Sequence, residues 1–135
     1  MPQTHSRPAA EGVYIWYTER LWTLVRNLPI KQVAISHIKE FEQNCWFSED
    51  SPPSCKAVAE HARKINGADL SYPIILSAAG YLMDGGHRLG KAWLAGQTSI
   101  RAVQFPIDPE PDVILAPGLT YTDWKRSLAA KSNAD

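Results

Sequence analysis

Cysteine is scarce in this chain of 135 residues, with Cys45 and Cys55 the only two. Two thiols at that spacing match neither a disulfide framework nor a zinc knuckle, so both are expected to be reduced. A surplus of charge is missing as well, because 14 Lys and Arg balance 14 Asp and Glu. Duplex binding needs excess cations on at least one face, so strong nucleic-acid binding is not expected, although a local basic patch stays open. Long apolar runs are also lacking. The stretch from Tyr72 to Met83 is broken by Pro73 and Gly80 and falls far short of the roughly 20 residues that span a bilayer, so no membrane partner is expected. The opening residues, Met1 to Pro8, have no continuous apolar core of the secretory kind. Residues 1–12 therefore read as a flexible polar lead, and a cytoplasmic location is expected.

A composition of 44% hydrophobic and 21% charged residues is that of a globular chain, and its length suits one core. Tyr17, Leu21, Leu24 and Leu28 fall at helical spacing, which predicts an amphipathic helix over 16–28 closed by Pro29. Residues 30–35 read as a first strand. Pro52 and Pro53 suit the start of a helix that buries Val58, Ala62 and Ile65 and ends at Asn66-Gly67. Two short apolar runs, Pro73 to Leu76 and Tyr81 to Met83, flank Ala78-Ala79-Gly80 as a hairpin. A helix over 86–95 follows, with Leu89, Ala92 and Trp93 facing inward and Gly96 ending it. Residues 99–105 form the last strand of the domain, and the segment 84–98 is long enough for a crossover that leaves its flanking strands parallel. The fold class is a small mixed α/β (α+β) domain over 13–107, followed by a Pro-rich extension and a short terminal helix within 108–135.

The residues that carry chemistry lie where the hairpin opens into a helix. Asp84-Gly85-Gly86-His87-Arg88 joins a strand end to a helix N-terminus, whose unpaired N–H groups and partial positive charge suit phosphate oxygens. Gly85 and Gly86 allow a close backbone approach, and His87 and Arg88 are expected to face a ligand from the first turn. Lys91 adds a cation one turn on. On position alone the segment also reads as a tight turn capped by Asp84, with Arg88 and Lys91 on a solvated face. His61 is placed on the exposed side of its helix. Trp46, Phe47, Trp16, Tyr17 and Trp22 read as packing residues more readily than as a base pocket.

The run Tyr72-Pro73-Ile74-Ile75-Leu76, a short hairpin, and then Met83-Asp84-Gly85-Gly86-His87-Arg88-Leu89-Gly90-Lys91-Ala92-Trp93-Leu94-Ala95-Gly96 resembles the core of the ParB/sulfiredoxin superfamily. With residues 30–38 the resemblance covers about half of the chain. It implies a loop that binds nucleotide phosphates: ATP, ADP or CTP with Mg²⁺, held by Gly85, Gly86, His87, Arg88 and Lys91. Sulfiredoxins carry a catalytic Cys where Gly86 stands, so sulfinic-acid reduction is not expected. The loop is most similar to the Asp-Gly-His-His-Arg type of the free serine kinases. That similarity implies an NTPase or phosphotransferase acting on a small-molecule acceptor, with Asp84 beside the metal and Glu42, or Glu40 in its place, serving the acceptor hydroxyl. A non-catalytic nucleotide-sensing or protein-interaction module is the alternative, and a ParB-like nuclease a weaker one.

Overall fold

The computed structural model describes residues 2–134, with side chains to Lys131. It is a mixed α+β structure with a three-stranded and a four-stranded sheet and, among the described residues, four α-helices. The chain forms two compact units: the described residues up to Arg26 with those from Pro109 onward, and Asn27–Asp108 between them. No helix among the described residues is long and apolar enough to cross a membrane.

The first unit departs from expectation. Residues read as a polar lead form β1 (Thr4–Ala9), which pairs antiparallel with β2 (Gly12–Tyr17). On its other edge β2 pairs with β7 (Val113–Leu115), so a separate small core forms around Ile15, Trp16 and Leu21. Trp16 thus lies in a strand, only 1% exposed, and its indole N–H donates to the Pro109 carbonyl at 2.9 Å. The expected helix over 16–28 shrinks to α1 (Thr18–Leu24). The terminal helix α4 (Tyr121–Ala134) lies within 108–135, where a short helix was expected.

In the middle unit the elements follow the sequence closely. They are β3 (Lys31–Ala34), α2 (Cys55–Gly67), β4 (Ile74–Leu76), β5 (Leu82–Asp84), α3 (Gly86–Leu94) and β6 (Ser99–Gln104). Two short 3-10 turns, Ile35–His37 and Lys39–Glu42, follow β3. The strand order is β3-β6-β4-β5, with β4 parallel to β6 and the other pairs antiparallel. The strands flanking α3 are therefore not parallel to each other, as expected, but sit antiparallel on either side of β4. Ile74 and Leu76, Ile100 and Ala102, and Leu89 and Ala92 form one core cluster with Ile35 and Ile38. Alternate residues of each strand supply it, as a sheet with a helix on that face requires.

One predicted helical stripe loses a member and the other is rotated from its predicted phase. On α3, Leu89 and Ala92 are buried but Trp93 is 58% exposed, its ring 6.1 Å from that of Phe41. On α2, Val58 is exposed, and the half-buried positions are Ala57, His61 and Ile65. The i, i+4, i+8 row thus lies one residue earlier than the apolar residues alone suggested.

Candidate functional site

The β4–β5 hairpin is closed by Ser77, whose backbone N–H donates to Tyr81 O at 2.8 Å and whose hydroxyl accepts from Tyr81 N–H at 2.9 Å. From it β5 runs directly into α3. Gly85 makes the junction at φ 122°, where a Cβ would stand 2.5 Å from Ile74 Cγ2. Only glycine meets both conditions without strain. The helix ladder begins at Leu89 N–H to Gly85 O, 2.9 Å, so the amides of Gly86 and His87 precede it and lie at the positive end of the helix dipole.

The predicted side chains around this turn divide into distinct roles. Arg88 donates to Asp84 Oδ2 at 3.1 Å, an i, i+4 ion pair with both side chains largely buried. Asp84 therefore balances Arg88. Lys91 turns away from the Asp84–Arg88 turn: its ammonium donates to Asn66 O at 3.0 Å and Ala68 O at 2.7 Å. It satisfies carbonyls at the C-terminus of α2, where cations are favoured. Glu42 is exposed and borders a separate groove with Ile35, Ser36, Ile38 and Lys39. Glu40, by contrast, accepts the Leu82 N–H at 2.7 Å, two residues before Asp84. Of the two carboxylates it is the one attached to β5, the strand that leads into α3. A cavity of about 300 Å³ opens beside Gly86, lined by Glu40, Phe41, Ile65, Leu82, Leu89 and Trp93 among others.

His87 is not alone at the first turn of α3. Its Nε2 lies 2.8 Å from His61 Nδ1 on α2. Trp46, from the irregular segment before α2, stacks on both imidazoles, its ring centre 4.6 Å from each and tilted by only 9° and 7°. Phe47 meets His61 edge-on. Gly86 leaves room for this lid, since a Cβ there would approach the Trp46 Nε1 to 3.3 Å. Trp46 and His61, which the sequence reading set aside, thus belong to the constellation. The signal that could have found His61 is its place in the packed row of α2, four residues from Ala57 and from Ile65.

Burial holds the His87 imidazole down at about 4 from the usual 6.5, reinforced by His61, Lys64 and Arg88 and opposed by Asp84. His61 is lowered too, first by burial and then by Lys64, against Glu60. Both rings are therefore neutral at pH 7, and one N–H bridges them. Between about pH 6.5 and 4 the unfolded chain binds more protons than the folded one, so stability falls as pH falls through this window. We expect the NMR titration of His87 to have its midpoint near pH 4. Replacing His61 and His87 together by Gln should flatten the dependence of the unfolding midpoint on pH over that range.

Among the described residues no group of three or more His, Cys, Asp or Glu is placed to hold a metal ion. Comparison with protein-family models, with curated proteins and with solved structures returns no match to this chain.

Proposed function

We propose that the middle unit binds the phosphate chain of a nucleoside di- or triphosphate, ATP, ADP or CTP, at the N-terminus of α3. The supporting observation is the Gly85-Gly86 junction, which feeds β5 into the N-terminus of α3, whose first amides lie at the positive end of the helix dipole, with Trp46 packed against Gly86. His87 and Arg88 flank those amides. Mg²⁺ would arrive with the nucleotide, since it keeps most of its waters and is held by phosphates with one or two carboxylates; Asp84 is the nearest candidate. The cavity beside Gly86 offers room for a base or a small acceptor. The same reading extends the similarity to ParB/sulfiredoxin proteins, and within it Glu40 replaces Glu42 as the preferred partner of an acceptor hydroxyl.

A non-catalytic nucleotide-sensing module is the second reading, favoured by one feature: Asp84 is already committed to Arg88. Thermal denaturation with ATP, ADP, CTP and GTP, each with Mg²⁺, tests binding itself. A ligand at a hundred times its Kd stabilises the folded state by about 2.7 kcal/mol, which should raise the unfolding midpoint by roughly 10 °C. Absence of any shift, with pyrophosphate equally inert, would refute the phosphate site. Binding without turnover of any acceptor, or of water, would favour the sensing module over a phosphotransferase.

A further inference from the structure

The His61–His87 contact is linear, a geometry that a hydrogen bond and a two-coordinate metal ion share. The ring centres are 5.1 Å apart and the planes differ by 16°, with the facing nitrogens 2.8 Å apart. That centre-to-centre distance fits the contact only if the two nitrogens point straight at each other. The imidazoles are thus nearly coplanar and head-on. One is carried by α2 and the other by α3, and those helices are also tied by Lys91 to the carbonyls of Asn66 and Ala68. The Trp46 indole lies flat over the seam, equidistant from both rings.

We propose that this pair is a two-coordinate site for a soft monovalent d¹⁰ cation, Cu⁺ by class, bound linearly between His61 Nδ1 and His87 Nε2 beneath the Trp46 ring. Opposed lone pairs on one axis match linear coordination and do not match the converging donors of a tetrahedral site. No third His, Cys, Asp or Glu completes a set among the described residues, which disfavours Zn²⁺ and other divalent ions that need four or more ligands. The indole face adds cation–π attraction to a single positive charge. Lys64 and Arg88 oppose added charge here while Glu60 and Asp84 offset them, which also favours one charge over two.

Binding is balanced without release of a proton. The ring that donates the bridging N–H shifts to its other tautomer, moving that proton to its outer nitrogen, and both inner nitrogens then hold the metal. With bonds of about 2 Å on each side, the rings must separate by roughly 1 Å.

Silver ion, which is redox-stable, is the probe, and the full chain carrying Cys45→Ser and Cys55→Ser is the test protein, because both thiols are exposed and would bind it. We expect one Ag⁺ per chain, altered tryptophan fluorescence, and ¹⁵N shifts confined among histidines to His61 Nδ1 and His87 Nε2. His61→Gln or His87→Gln should weaken binding at least a hundredfold. Should either variant fail to fold, the ¹⁵N shifts in the histidine-intact protein decide. Lack of stoichiometric Ag⁺ uptake, shifts at other histidines, uptake unchanged in folded variants, or Zn²⁺ binding as tight as Ag⁺ would each overturn the proposal. Nucleotides play no part in this test, so its outcome leaves the phosphate reading standing or falling on its own.

Discussion

Gly85→Ala should be the most damaging single change in the middle unit. The residue sits at φ 122°, and the added methyl would lie 2.5 Å from Ile74 Cγ2 and 2.9 Å from Ile74 Cβ. Ile74 is fully buried in the central strand β4, with the core cluster around it, so it has nowhere to retreat. An L-residue held in sparsely populated backbone space costs on the order of 1–3 kcal/mol, and overpacking a dense core costs about as much again. A loss of about 3–5 kcal/mol is expected, lowering the unfolding midpoint by roughly 15 °C or more. Chemical denaturation measures it directly. A variant within 1 kcal/mol of the parent would mean that the β5–α3 junction relaxes easily, and would undercut the proposed phosphate site, which relies on its rigidity.

Arg88→Ala should carry the second-largest effect, and it should appear in two measurements at once. The sequence alone placed Arg88 toward a ligand, which predicts weaker nucleotide binding in an intact fold. The ion pair with Asp84 changes that expectation: removing the guanidinium takes an ion-pair partner from a largely buried carboxylate. Such a loss costs about 2–4 kcal/mol in a partly buried setting. Nucleotide affinity should fall by about ten- to hundredfold if one charge-assisted phosphate contact disappears. Asp84→Asn separates the two effects. It relieves the same pair by neutralising the carboxylate and keeps the cation, so stability should fall less, and nucleotide affinity should fall much less than in Arg88→Ala. Equal affinity in Arg88→Ala and the parent, measured by calorimetry below the unfolding transition, would remove Arg88 from the phosphate site.

The legible part of this chain was the part governed by local rules. Gly80, Gly85 and Gly96 punctuate β4, β5 and α3 within 25 residues, and each has positive φ, so turns and a helix end were readable from residue type. The apolar period fixed Leu89 and Ala92 as core. What escaped reading was non-local. Thr4–Ala9 is polar and contains Pro8, so its pattern gave no strand signal; it pairs because β2 lies beside it, and β2 is itself held by β7 from the other end of the chain. Strand partners that far apart leave no local trace. His61 was misplaced by a single helical position, because Val58 and Ala62 drew the apolar stripe to the wrong face. Trp46 follows no periodic pattern at all, and only the folded positions of α2 and α3 give its ring two imidazoles to cover. Glu40 and Glu42 share one short turn, and their spacing alone could not say which would reach β5.

The pairing of β2 with β7 also has a consequence for the order in which the chain is made. Val13 meets Leu115, and Ile15 meets Val113, so β2 must wait for a partner synthesised about 100 residues later. At roughly 5–20 residues per second on the ribosome, that wait lasts on the order of 5 to 20 s. Throughout it the hairpin of β1 and β2 presents a bare edge with Val13 and Ile15 along it, the kind of template on which a second nascent chain can dock. The middle unit can complete its own sheet in that interval, since every strand in it has emerged before Val113. Crowded translation of this protein therefore exposes one brief, specific hazard: strand exchange at Gly12–Tyr17 between neighbouring nascent chains.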